Sequence, residues 1–206
     1  MVSSKARCGN FGIGSEYLLA YRGILEGFPF IWSLIRKNTS GNRLYALLGN
    51  TFGNLDIAEI NFAHQIRSVM NAEDHLVIEV SLAGRDWSWE SDPRTQPRKF
   101  NRNYRRFIAV GVNRRTGIAI DNVSRHFSRN VCFKQGASAV PGTKTICIKE
   151  RRNQFLITMI RRFDWPMLLD WFRSQGFSVQ YEESTYYNQH GREIIGNGIV
   201  RLGRAT

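Results

Sequence analysis

Cysteine is scarce in this sequence, and the three present, Cys8, Cys132 and Cys147, show no C-x-x-C spacing. An odd set without that spacing builds neither a disulfide framework nor a zinc ribbon, so a reducing, intracellular compartment (cytoplasm or nucleus) is expected. No long apolar run is present either. The most hydrophobic stretch, 17–35, is interrupted by Arg22, Glu26 and Pro29. Those residues make insertion costly, so a core helix and no membrane partner are expected. The opening MVSSKARCGNFGIGS lacks the apolar segment of a signal peptide. Its glycine-rich part, 9–15, lacks the lysine of a P-loop and has no strand before it, which excludes the usual phosphate cradle and leaves a flexible lead.

Acidic residues are missing from one region in particular. Between Arg94 and Arg173 the chain carries 14 arginines and 4 lysines against Asp121, Glu150, Asp164 and Asp170, a net +14, while the other 126 residues sum to −2. Lysine is also under-used, 6 against 23 arginines. Arginine offers a rigid fork that fits phosphate bidentately and stacks on flat rings, so the bias suits an anionic partner rich in planar groups.

What is present is the composition of a folded protein: 206 residues, 42% hydrophobic and 12% aromatic. A chain of this length removes roughly 70% of its surface on folding, enough for a full core. Helical spacing is read from Ser15 to Phe28, again over PFIWSLIRK, and from 54 to 71, where Asn54 is expected as cap and Leu55, Ala58, Phe62, Ile66 and Val69 form the buried stripe. From Leu76 the period becomes two. LVIEVSL, RRFIAVGV and its partner GIAI, NVCFK, TKTICIK, NQFLITMI, FSVQYEE and REIIGNGIVRLG read as strands, with a polar connection over 184–191. One late helix, MLLDWFRS, is capped by Asp164 and closed by Gly176. Clustered strands imply an α+β fold in which N-terminal helices pack on a mostly antiparallel sheet with one late helix. A single domain over 1–206 is expected. SDPRTQPR, at 91–98, marks an alternative division near 95 between a helical part, 1–95, and a basic sheet part, 96–206.

The densest chemistry is PRKFNRNYRRFIAV, 97–110. Arg98, Lys99, Arg102, Arg105 and Arg106 alternate there with Phe100, Tyr104 and Phe107. Guanidinium groups neutralise phosphates while rings stack bases, which is the mixture a single-stranded RNA or DNA asks for with little sequence preference. Arginine pairs at Arg114 and Arg115, Arg151 and Arg152, and Arg161 and Arg162 extend the expected groove. The structural reading of the same residues is the solvated edge of a sheet, with Phe107 in the core. Major-groove reading is disfavoured because the clearest helix, 54–71, carries only Arg67 as a permanent cation, and no RNP1-like string is present.

A nucleic-acid-binding protein is therefore the expectation, with no catalytic residue, cofactor or metal assigned and homo-oligomerisation left open. Two alternatives stay beside it. A metal-dependent nuclease or nucleic-acid-modifying enzyme would draw on Glu79, Asp121, His126 or Glu150, none at motif spacing. A scaffold would dock on an acidic protein. Trp165 and Trp171 read as core, Trp87 and Trp89 as candidates for exposure, Cys147 as a small buried hydrophobe and His64 as a surface residue.

Overall fold

The computed structural model describes residues 4–6, 18–20, 41–55, 58–96, 100, 102–117, 119 and 131–205. Contacts divide the chain into Met1–Gly41 and Asn42–Thr206. In the first unit, strands β1 (Ser4–Ala6) and β2 (Leu18–Ala20) pair antiparallel, Ser4 opposite Ala20. Helical spacing is therefore wrong at 18–20, where three consecutive apolar residues satisfy either period. The rest of that expected helix, and PFIWSLIRK, lie outside the described residues.

The second unit is α+β, with helices on two sheets. One sheet has four strands in the order β3 (Leu44–Leu47), β4 (His75–Ala83), β9 (Arg192–Arg204) and β8 (Phe177–Gln189), with β3 parallel to β4 and the other pairs antiparallel. The other runs β5 (Val131–Gly136), β6 (Lys144–Glu150) and β7 (Leu156–Arg162), all antiparallel. Alternation dictates the first sheet: Leu76, Ile78, Val80 and Leu82 of β4 are buried, with half-buried residues between them. The sheets meet because β4 outruns β3. Past the last β3 pair, Leu47 with Ile78, the free edge of β4 bonds Phe163 through Phe163 N–H to Ser81 O at 3.0 Å and Ala83 N–H to Phe163 O at 2.9 Å.

Helix α1 (Glu59–Val69) buries Phe62, Ala63, Ile66 and Val69. It begins five residues later than the cap expected at Asn54, which instead ends a short 3-10 turn, Phe52–Asn54. That turn seats Phe52, fully buried, among Phe62, Phe163 and Phe172 at centroid distances of 5.5–5.6 Å. The late helix α3 (Trp165–Ser174) has the expected Asp164 cap, whose carboxylate accepts from Met167 N–H, and Gly176 follows it at φ 79°. Trp165 lies against the sheet at Gly198, where a Cβ would approach its ring to 2.5 Å.

Two strand readings are corrected. Residues 102–116, including RRFIAVGV, form helix α2 (Arg102–Thr116), so the hairpin with GIAI does not exist. Ile108, Ala109 and Val112 are buried on a helical face and Phe107 stands 61% exposed, the reverse of what a period of two requires. The connection over 184–191 is also strand up to Gln189. His190 (φ 52°) and Gly191 (φ 78°) close a two-residue hairpin whose positive φ values match the twist of the flanking strands. Among the described residues no helix is long and apolar enough to cross a membrane.

Candidate ligand-binding cleft

Where the loop after β3 crosses β4, two successive residues adopt the left-handed region, Gly49 at φ 66° and Asn50 at φ 61°. Glycine takes this conformation freely, whereas asparagine holds it at a cost that its short amide offsets by local hydrogen bonds. Asn50 Oδ1 accepts Ser81 N–H at 2.9 Å, standing in for a strand partner on the edge of β4, and its Nδ2 donates to Asn54 Oδ1 at 3.4 Å. Gly49 N–H donates to Glu79 Oε2 at 2.8 Å. Gly53 leaves room for this arrangement, since a Cβ there would collide with the Asn50 amide.

The pinned loop borders a cleft of about 700 Å³ whose lining also includes Asn197 of β9, Ile157, Thr158, Ile160 and Arg162 of β7, and Tyr104 and Phe107 of α2. Tyr104 and Phe107, one helical turn apart, stack at 6.1 Å with an interplanar angle of 19°. The Arg94 guanidinium lies 4.3 Å from the Tyr104 ring centroid, and Phe100 meets that ring edge-on at 4.7 Å. Burial pushes the Tyr104 phenol above its ordinary value, against the opposing pull of Arg94. The cleft thus places one carboxylate, three side-chain amides, the hydroxyls of Ser81 and Thr158 and two arginines beside the ring platform of Tyr104 and Phe107.

Behind it lies a buried polar cluster. Asp92, with no exposed surface, accepts from Arg162 Nε at 2.9 Å and Nη2 at 3.3 Å, from Trp87 Nε1 at 2.8 Å and from Arg94 N–H at 2.8 Å. Burial alone would raise this carboxyl, yet the bonds and charge of Arg162, with those of Trp87 and the Arg94 N–H, hold it below the ordinary aspartate value. Arg161 pairs with Glu59 at 2.8 Å and donates Nη1–H to Leu55 O at 2.9 Å; Ser138 also donates to Glu59.

The described residues among those expected to bind nucleic acid differ in exposure. Phe100 is buried, Tyr104 and Arg105 are half-buried, Arg102, Arg106 and Arg114 are exposed on α2, and Arg151 and Arg152 are exposed in the β6–β7 turn. Arg161 and Arg162 are 2% and 6% exposed and neutralised by carboxylates. Arg98 and Lys99, the side chain of Arg115, and Asp121 and His126 lie outside the described residues. Of the expected set the cleft gathers Tyr104 and Arg162, with Phe107 beside them. The sequence offers Glu79 only as a nuclease carboxylate and Asn54 only as a helix cap, and does not single out Asn50 or Asn197; the Gly-Asn dipeptide at 49–50 is the available turn signal. Trp87 and Trp89 are half-buried instead of exposed, Trp165 and Trp171 are core, and His64 is exposed. Cys147 is a buried free thiol, raised above its ordinary value chiefly by burial. Among the described residues no group of three or more His, Cys, Asp or Glu is placed to hold a metal.

No protein-family model and no curated protein matches the chain. Solved structures similar to it are S-adenosylmethionine-dependent methyltransferases of Methanosarcina mazei (7% identity, TM-score 0.37) and Clostridium acetobutylicum (6%, 0.34), and a methyltransferase of Streptomyces caelestis (9%, 0.33). Each alignment covers 80% of this chain and 57–58% of the other, so the chain spans less than two thirds of those proteins. At such TM-scores the likeness carries no argument about what this chain does. The nucleic-acid-binding expectation is nonetheless corrected. The expected sheet platform is a helix, one of its rings is core, and its last arginine pair is buried in ion pairs.

Proposed function

We propose that the chain binds a small molecule in the cleft beside Asn50 and Glu79, a flat heteroaromatic ring carrying hydroxyl groups, of the nucleoside class. The observation that carries this reading is the Phe107 ring, 61% exposed at the cleft and stacked on Tyr104 within reach of a carboxylate and several amides. An exposed platform of two rings gains roughly 0.5–1.5 kcal/mol from a third, stacked ring beyond the area that ring buries. Glu79 and the asparagine amides suit hydroxyls, because carboxylate and amide oxygens accept their protons while amide N–H groups donate to their lone pairs. The volume, about 700 Å³, lies in the range of ligand pockets, roughly 300–1,000 Å³. The left-handed Asn50 is the kind of locally costly backbone that concentrates at ligand sites.

Calorimetric titration with adenosine, S-adenosylmethionine, ribose and adenine tests the proposal. S-adenosylmethionine belongs in that panel because it presents such a ring and such hydroxyls. At least one of the two nucleoside-bearing compounds binds below about 1 mM, more tightly than ribose or adenine alone, and Phe107→Ala weakens it about tenfold. Absence of saturable heat from both sinks the reading, as does binding indifferent to Phe107.

A further inference from the structure

A second cavity, of about 550 Å³, is lined in part by Trp87, and the function proposed above makes no use of it. Its lining carries two cations, Arg85 and Lys144, and two carboxylates, Asp164 and Glu193, around the apolar surfaces of Trp87 and Tyr186. The Lys144 ammonium sits over the face of Trp87, 5.9 Å from its centroid. Asp164 and Glu193 lie close enough to Tyr186 that their charges, after burial, help hold its phenol above the ordinary value. Arg85 is largely spoken for, with Nε 3.6 Å from Asp86 and 3.5 Å from Glu193, whereas Lys144 is engaged with a ring.

A ligand with net positive charge would meet Lys144, and one with net negative charge would meet the carboxylates; like charges placed together are the usual means of rejecting a wrong partner. A small molecule that separates a carboxylate from an ammonium satisfies both ends. We propose that this cavity is a binding site for a free zwitterion of the α-amino-acid class, its carboxylate on Lys144, its ammonium toward Asp164 and Glu193, and its side chain against Trp87 and Tyr186.

The site is built in advance of its ligand. Trp87 cannot turn freely, because its Nε1–H is held by Asp92, which is in turn clamped by Arg162. Gly142, which also lines the cavity, stands at φ 69° and packs so closely on Met167 that a Cβ there would reach 2.5 Å from its Sδ. A preorganised wall lowers the ordering cost of binding.

Calorimetry on the full chain compares L-phenylalanine with 3-phenylpropanoate, which lacks the ammonium, and phenethylamine, which lacks the carboxylate. L-phenylalanine binds with a dissociation constant below about 1 mM, and each truncated analogue binds at least about tenfold more weakly, the loss expected when one charged partner is removed. Lys144→Met, which keeps the stem and removes the charge, weakens L-phenylalanine about tenfold and does not weaken phenethylamine, whose repulsion by the ammonium it relieves. Trp87→Phe leaves an apolar wall and abolishes most of the change in tryptophan emission on binding. Phe107→Ala leaves this binding intact, so failure here and failure at the first cleft are read separately. No saturable heat from L-phenylalanine, or an analogue bound as tightly as the zwitterion, overturns the proposal.

Discussion

Two arginine pairs sit at the two ends of strand β7 and meet opposite fates. Arg151 and Arg152, in the turn before it, are exposed, whereas Arg161 and Arg162, at its end, are buried. In the turn, the carboxylate of Glu150 accepts from the main-chain N–H groups of Arg152 (2.8 Å) and Asn153 (2.5 Å). The far end runs into the seam between the sheets, where α1 brings Glu59 and the 3-10 turn Pro93–Thr95 is preceded by Asp92. Both carboxylates come from outside the arginine-rich region. A charge excess summed along the sequence therefore overstates the charge a partner would meet, because folding cancels part of it with residues distant in the chain.

The sharpest way to break this contrast is to remove one member of a buried pair. Arg161→Ala leaves Glu59 charged and enclosed, and is expected to cost about 3–5 kcal/mol in urea or thermal unfolding, as is Glu59→Ala. The double change Arg161→Met with Glu59→Leu costs less than either single variant, since no orphaned charge remains. A loss under about 1 kcal/mol for Arg161→Ala would mean that the seam is wet and the contrast false.

Asp92 gives the same contrast a pH dependence. Its folded pKa is depressed below the ordinary 3.8, so its contribution is fully present above that value and is lost as pH falls through the lower folded value. Asp92→Asn is expected to lower stability by about 2–4 kcal/mol at neutral pH. The gap to the parent protein begins to narrow below about pH 4, where the unfolded carboxyl takes up a proton, and closes as the folded one does so at its lower value. Melting temperatures of the two proteins across pH 2–7 check this; a gap that stays constant down to the acid limit contradicts it.

Which parts were legible in advance follows the same line. Strand β4 and the capped helix α3 were readable because alternation and an Asp-x-Pro start are local signals that their tertiary surroundings reinforce. Helix α2 was not, since its aromatic and aliphatic residues also fit a short strand, and only the packing of Ile108 and Val112 decides which face is buried. The overreach of strand β8 came from treating polar residues as loop. Tyr186 and Tyr187 are strand formers on an edge, and the positive-φ pair His190–Gly191 was the true turn. At the cleft, Glu79 was visible as a residue, but its role depends on Gly49, thirty positions away, so no local pattern reports it.

Asn50 extends the comparison from charges to a neutral group. Asn50→Gly keeps the left-handed backbone at no steric cost and removes the acceptor of Ser81 N–H together with the long bond to Asn54, a loss of about 1–3 kcal/mol. Asn50→Ala removes the same acceptor and adds the cost of a Cβ in that conformation, so it is expected to be the worse of the two by roughly 1–2 kcal/mol. Equal stabilities would show that the loop relaxes and that the cleft rim is not fixed by this residue.

The smallest effect belongs to the exposed pair. Arg152→Ala is expected to change unfolding free energy by no more than about 0.5 kcal/mol, since it removes no buried contact. Arg151→Ala loses the bond from Nη2 to Val131 O at 3.3 Å, worth about 0.5–1.5 kcal/mol. Measured together with Arg161→Ala, these variants place three arginines of one hairpin on a single scale. The ordering Arg161, Arg151, Arg152 follows from burial and partners alone. Were Arg152→Ala to destabilise as much as Arg161→Ala, the turn would have to be covered by another part of the protein, and the contrast between the ends of β7 would reduce to one of partner identity.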